Sequence, residues 1–312
     1  LFGFYIIPEF GLKAPALFCG LLLSLIPLFL LLKQKNFLPL FIIALFAWQY
    51  NQNKEIVNPD NPVKLLYKSE GLLGQVIVLD LPADIYLADT SRKNQYSRWM
   101  YVNRISQTMY DANADTAKNQ EQYFTYVHKI SEYLTPKKNK AKKVLLLGLG
   151  GGVVAKHLYE CGFEVDACEL DYRIYYVART YFDLSEKVNV KIDDARHYIN
   201  SCEKKYDVVI FDTFKGEETP SHLITKESLT AIKNLLNDEG VLFVNSFGYI
   251  KGKYGLGNRS IFKTLNHVGF QVEVLPTEEN EDQRNLLFIA SCSEIQYSDN
   301  YLRNIDTPQA VL

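Results

Sequence analysis

The chain has 312 residues, 47% of them apolar and 22% charged, which suits about two domains with a sizeable core rather than long disorder. A formal net charge of −2, with no basic run longer than Lys137–Lys143, gives no electrostatic ground for binding nucleic acid. The five cysteines (Cys19, Cys161, Cys168, Cys202 and Cys292) are odd in number and scattered, with no CxxC pair. That argues against a disulfide framework or a zinc site and predicts buried free thiols in a reducing compartment.

The chain opens inside an apolar stretch at Leu1 and reads as a piece of a longer protein, with Leu1–Ile7 the end of an earlier span. Ala14–Leu32 holds nineteen residues without a charge, enough to cross a bilayer despite Pro15 and Pro27. Phe37–Trp48 is a second apolar run of twelve residues, suited to a short span, an interfacial segment or a re-entrant turn. Lysine-containing turns between such runs fit a cleaved signal peptide poorly. Residues 1–50 are therefore expected to form one or more transmembrane helices. Lys33 and Lys35 prefer the cytoplasm. The expected location is the cell inner membrane, with the rest of the chain facing the cytoplasm. Residues 51–62 (NQNKEIVNPDNP) are polar and rich in Pro and Asn, the pattern of a linker.

From residue 63 to 135 the pattern predicts a small antiparallel β-rich unit, with strands at Gly74–Leu81, Asp84–Ala88 and Trp99–Ile105. An amphipathic helix over Gln120–Leu134, closed by Pro136, follows it. Residues 136–312 then alternate strand and helix. Strands are predicted at Val144–Leu147, Glu164–Glu169, Val188–Ile192, Tyr206–Phe211, Gly240–Asn245, Gln271–Val274 and Asn285–Ala290. Helices between them include Tyr172–Phe182, Lys226–Asn237 and Asn258–Val268. Such alternation predicts a parallel sheet covered on both faces, and the last two strands, having no helix between them, an antiparallel pair at one edge. The fold class is α/β: a doubly wound, methyltransferase-like (Rossmann-type) sheet behind the small β unit and the N-terminal transmembrane helices.

The chemistry gathers at the ends of these strands. KVLLLGLGGG (Lys143–Gly152) is an apolar strand running into Gly148, Gly150, Gly151 and Gly152, where backbone can turn tightly and approach a ligand. The dinucleotide pattern would need glycine at Val153, and no Walker GK[ST] follows, so both phosphate readings weaken. Acidic residues then end the next three strands: Glu169 in ACELD, Asp194 in IDDARHYI and Asp212 in YDVVIFDTF. Carboxylates suit ribose hydroxyls, an adenine amine and a cationic centre, and repel phosphate. This ladder predicts an adenosyl-sulfonium ligand. Glu169 is expected on the ribose, with Asp171 better placed to cap the following helix. Asp194 is expected on the adenine amine with Ala195 packed against the ring, though Asp193 competes and either could cap a helix. Asp212, after four apolar residues, is expected to be a desolvated base. The five histidines (128, 157, 197, 222 and 267) show no metal-binding spacing, and only His222, in the loop after Asp212, is placed to line the cleft.

These segments, with Gln107 in RISQTMYD, Tyr126 in YVH and the ETPSHL loop, resemble the spermidine synthase (polyamine aminopropyltransferase) family, membrane-fused bacterial type, over about Ser69 to Ala290. The resemblance implies transfer of an aminopropyl group from decarboxylated S-adenosylmethionine to an amine such as putrescine, without a metal. It implies that Gly148, Gly150, Gly152, Glu169, Asp194, Ala195 and Gln107 hold the donor. Gln107 and Tyr126 would close the pocket, and Asp212 would deprotonate or orient the amine. Members of the family often form homodimers. Three positions depart from its pattern: Gly151 and Lys215 stand where acids are usual, and Val127–His128 follow Tyr126 where an acid is expected. Alternatives kept open are an S-adenosylmethionine-dependent methyltransferase and a catalytically silent nucleoside-binding membrane protein.

Overall fold

The computed structural model describes residues 11, 13–35, 37, 38, 40–45, 62–82, 95–111, 124–137, 142–214, 220–282 and 284–293. The expected strand Asp84–Ala88, the expected span remnant Leu1–Ile7, nearly all of the linker and Lys215 lie outside these residues.

A seven-stranded mixed sheet organises the chain. Its strands are β5 (Lys143–Leu147), β6 (Glu164–Glu169), β7 (Asn189–Ile192), β8 (Tyr206–Phe211), β9 (Leu236–Phe247), β10 (Gln271–Pro276) and β11 (Asn285–Ser291), in the order β10-β11-β9-β8-β5-β6-β7. β5 to β9 are parallel, and β11 inserts antiparallel between β9 and β10. This is the methyltransferase-type order, with the expected antiparallel pair at one edge. The central strands are apolar over 144–147, 208–211 and 241–244 because helices cover both of their faces there. Alternation sends Val144, Leu146, Val208 and Ile210 to one core, and Leu145, Leu147, Val209 and Phe211 to the other. The first core also takes α2 (Thr125–Leu134), α3 (Val153–Glu160) and α4 (Tyr172–Tyr181). The second takes α5 (Ala195–Ser201), α6 (Lys226–Leu235) and α7 (Leu256–His267).

Ahead of it stands a four-stranded antiparallel sheet of β1 (Lys64–Gly71), β2 (Gly74–Pro82), β3 (Tyr96–Val102) and β4 (Ile105–Asp111), in that order. The expected single strand Trp99–Ile105 is corrected. Asn103 and Arg104 take positive φ angles of 51° and 71° and form a two-residue turn between Val102 and Ile105, the geometry that matches strand twist in a hairpin. Asn103 steadies the neighbouring hairpin too, its Oδ1 accepting the Gln75 amide at 2.9 Å.

The small sheet is fastened to α4 and the loop behind it. Arg98 holds Asp80 with two hydrogen bonds of 2.7 and 3.0 Å and donates to the Tyr181 carbonyl at 2.8 Å. Tyr110 donates to Asp183 at 2.5 Å. Apolar Val76, Val78 and Met100 of the small sheet enter the same core as α3 and α4.

Residues 13–33 form one 21-residue helix, α1 (Lys13–Lys33). Among the described residues no helix is long and apolar enough to cross a membrane, so the transmembrane expectation is not shown here. What α1 presents is apolar exposure: Leu23 and Ile26 are 79% and 73% exposed, and Phe29 67%. The expectation of buried thiols also needs correcting. All five cysteines are free, but only Cys168 is buried, while Cys19 and Cys292 are exposed. Cys168 lies in β6, inside the parallel sheet; Cys161 and Cys202, at the ends of α3 and α5, are half-buried against the two cores, and Cys19 on α1 and Cys292 past β11 are exposed.

Candidate active site

A cavity of 1090 Å³ opens where the carboxyl ends of β5, β6 and β8 meet the small sheet. Gln107, Tyr126, Gly148, Gly150, Glu169, Asp194, Ala195, Asp212 and His222 all line it. Sequence reasoning therefore brought together nine residues that the fold gathers at one place. Gly152 is the exception. It is the left-handed residue before α3 (φ 77°) and sits against Leu184 and Ala178, a packing position beneath the cavity.

The glycine loop follows from close backbone approach. At Gly148 a Cβ would stand 2.3 Å from the Asp212 carbonyl oxygen, so strands β5 and β8 reach their ends touching. Gly151 has a different neighbour. Its amide donates to the Thr108 hydroxyl at 2.8 Å, a buried bond, and a Cβ there would meet Thr108 Cγ2 at 2.6 Å. The space beside Gly151, where the resemblance implied an acid, is thus filled by a threonine reaching across from β4.

Glu169, at the end of β6, accepts the Leu149 amide on one oxygen and the Asp171 amide on the other, each at 2.9 Å. Burial pushes its pKa above the ordinary carboxylate value, against the pull of those amide bonds. The carboxylate is oriented by backbone alone, and each oxygen keeps a lone pair for a hydroxyl. Asp171 caps α4 by accepting the Arg173 amide at 2.9 Å, as its position suggested. Asp194 caps α5, its Oδ1 accepting the His197 amide at 3.0 Å. Asp193 is occupied by the His197 ring at 2.8 Å and by Lys191 at 3.0 Å. Of the two, Asp194 keeps the freer oxygen toward the cavity. Leu170, beside Glu169, is 53% exposed, an apolar surface that a flat base would cover.

At the other end Asp212 leaves β8 with its carboxylate held on both oxygens. Tyr126 donates to Oδ2 at 3.0 Å, and Asn245 to Oδ1 at 2.8 Å. Asn245 is itself held by Asn285, which donates to its side-chain oxygen at 3.0 Å. Asp212 is half-buried, and its open side faces the cavity. Loss of hydration raises its pKa above the usual value, while the bonds from Asn245 and Tyr126 pull the other way. Burial and the neighbouring carboxylate push the Tyr126 phenol well up, so it stays protonated and donates. His222 lies exposed in the turn Ser221–Leu223, where its carbonyl accepts from Arg196 at 3.1 Å; the residue lines the cavity mouth.

Sequence reasoning missed Thr108, Asn245 and Asn285. Asn245 carried a signal: one amide in the apolar strand VLFVNSF, which a buried strand tolerates only with a partner. Thr108 and Asn285 carried none. Among the described residues no group of His, Cys, Asp and Glu side chains is arranged to hold a metal ion.

The family model of the spermine/spermidine synthase domain matches residues 123–278. The chain is similar to a polyamine aminopropyltransferase of Vibrio vulnificus, 38% identical over 119 residues, 36% of this chain and 40% of that protein. It is also similar to the N-terminal histidine N-methyltransferase of Emericella nidulans, 32% identical over 120 residues, 37% of this chain and 22% of that protein. In both cases the chain spans less than half of the curated relative's length. Among solved structures, a probable spermidine synthase from Corynebacterium glutamicum superposes with a TM-score of 0.60 at 18% identity, over 76% of this chain and 82% of that one. That likeness concerns the fold.

Proposed function

The chain belongs to the spermine/spermidine synthase family, and from that premise we propose that it is an aminopropyltransferase acting on a small amine such as putrescine. The observation that carries the reading is Asp212: a carboxylate of raised basicity, gripped by Tyr126 and Asn245, opening on the same cavity as Glu169. The residues fit the adenosyl part of decarboxylated S-adenosylmethionine. Glu169 has lone pairs for the ribose hydroxyls, Asp194 has an oxygen for an adenine amine, and Leu170 and Ala195 give apolar cover. That donor supplies an electrophilic aminopropyl carbon on a sulfonium leaving group.

The side chains do the remaining work. Asp212 accepts a proton from the incoming ammonium, freeing the nitrogen lone pair to attack. The new C–N bond forms as the C–S bond breaks, and methylthioadenosine leaves with the bonding pair. Tyr126 and Asn245 hold the carboxylate in one orientation, which shortens the search for attack geometry. The cavity's carboxylates offer negative charge to two cationic reactants.

One observation favours S-adenosylmethionine-dependent methyl transfer as a second reading: Thr108 fills the space where an acid would meet an aminopropyl ammonium. The test is calorimetric titration of the full chain with decarboxylated and ordinary S-adenosylmethionine, followed by product analysis with putrescine. Tighter binding of the ordinary form, or methylated product, would sink the aminopropyl assignment. Binding of neither form would support a catalytically silent module.

We also propose a division into a membrane segment (1–50), a linker (51–62), a small β unit with its helix (63–135) and a catalytic domain (136–312), the last facing the cytoplasm at the cell inner membrane. The exposed apolar side chains of α1 support the anchor. Carbonate-resistant sedimentation with membranes tests it, and recovery in the soluble fraction would refute it. The homodimer implied by the family remains part of the proposal, read out by sedimentation in detergent.

A further inference from the structure

We propose that Arg173 is a positioning residue for the nucleoside end of the cavity, clasping the β1–β2 turn so that Leu72 and Leu73 form part of its wall; this rests on the nucleoside reading of Glu169. The guanidinium is used on two sides. On one, it forms an ion pair with Asp171, Nη2 at 2.6 Å from Oδ2 and Nε at 3.0 Å from Oδ1. On the other, Nη1 donates to the Gly74 carbonyl at 3.0 Å and lies 3.5 Å from the Ser69 hydroxyl. Asp171 is the residue whose amide orients Glu169. A continuous set of bonds therefore runs from the Glu169 carboxylate, through Asp171 and Arg173, to the turn Gly71–Gly74.

The turn is shaped for this partner. A Cβ on Gly71 would stand 2.9 Å from Arg173 Nη1, so glycine lets the backbone come this close without displacing the guanidinium. Gly74 takes a φ of 105°, open to glycine alone without strain, and a Cβ there would collide with Asn103. Between the glycines, Leu72 and Leu73 are 58% and 46% exposed. They line the same cavity as Glu169, Leu170 and Ile174. Two exposed leucines on a turn tip are costly in water and useful against an apolar ring. Tyr181, which donates to the Leu66 carbonyl at 3.3 Å, ties β1 to α4 farther from the tip, so loss of Arg173 would let the wall swing away.

The experiment titrates the full chain with 5′-methylthioadenosine by calorimetry. Arg173→Ala is expected to weaken binding about tenfold, the size typical of coupled neighbours. Arg173→Lys is expected to stay weak, because one ammonium cannot span both partners as the planar fork does. Leu72→Ser with Leu73→Ser, a change on exposed positions that spares the core, is expected to weaken binding similarly. Adding Arg173→Ala to it is expected to cost less than about twofold more. A merely structural role for Arg173 would not produce that non-additivity. Unchanged affinity in Arg173→Ala, or fully additive losses, would overturn the inference while leaving the nucleoside reading intact. Absence of binding by the unmodified chain would overturn that reading, and the inference with it.

Discussion

Tyr126→Phe removes one atom that tunes Asp212 and almost nothing else, because the ring remains packed in the core while its hydroxyl is lost. The bond it breaks is a 3.0 Å donation to a carboxylate. Hydrogen bonds to charged groups contribute roughly 1.5–3 kcal/mol, and about 1.4 kcal/mol corresponds to one pKa unit. The Asn245 bond survives, and cavity water reaches the vacated place, so the lower end applies: about one unit. The sign follows from which form the bond favours. Tyr126 donates to the ionised carboxylate and lowers its pKa, so its removal raises the pKa beyond what burial has already done. A base must be ionised to act. The acid limb of the rate profile is therefore expected to move about one unit toward higher pH, with a roughly tenfold loss on that limb and convergence at alkaline pH. The assay is initial-rate release of methylthioadenosine across pH for both proteins. A limb that stays put, or a loss equal at every pH, would refute the account; the second result would make Tyr126 a substrate contact instead.

Asp212→Asn is expected to abolish turnover and to raise the melting temperature at neutral pH. Its folded pKa lies above the unfolded value, so ionisation costs folding free energy once pH exceeds the unfolded carboxylate value of about 3.9. The stabilisation should shrink as pH falls toward that value and the native carboxyl protonates; a variant no more stable at neutral pH would contradict this. Gly151→Asp alone is expected to lower the melting temperature, because its Cβ meets Thr108 at 2.6 Å. Combined with Thr108→Ala it should recover stability and bind decarboxylated S-adenosylmethionine more tightly than the unmodified chain; equal affinity in calorimetry would show that this position does not meet the donor.

Why the main sheet could be read and parts of the small one could not comes down to burial. β5 and β8 are covered on both faces, so VLLL (144–147) and VVIF (208–211) appear as unbroken apolar runs, short and bounded by polar residues as a central strand is. β3 and β4 are half-buried, and their turn uses Arg104 at a positive φ rather than glycine, so no punctuation marks it. The acidic ladder was legible because each acid ends a strand whose limits were clear. The roles within it were less so: Asp194 divides itself between helix cap and cavity, a choice that depends on where the His197 amide falls. Thr108 and Asn285 reach the site only through tertiary packing, from strands distant in sequence from the residues they touch. The exposed cysteines were misjudged because a thiol's burial depends on its neighbours across the fold, which spacing alone does not encode.

The bond from the Gly151 amide to Thr108 crosses from one sheet to the other, and it bears on how the chain can be cut. Residues 123–278 are what the family model covers, and a fragment trimmed to those limits would keep Glu169, Asp194 and Asp212. It would also discard β1 to β4 and β11, leaving the glycine loop with an amide facing solvent, Arg173 without its carbonyl partner, Asn245 without Asn285, β10 without its neighbour and Val76, Val78 and Met100 missing from the core. The part of the chain that the family model covers is not a detachable module. A shortened chain meant for activity measurements should begin no later than Val63, and a graft of the cavity onto another scaffold must carry both sheets.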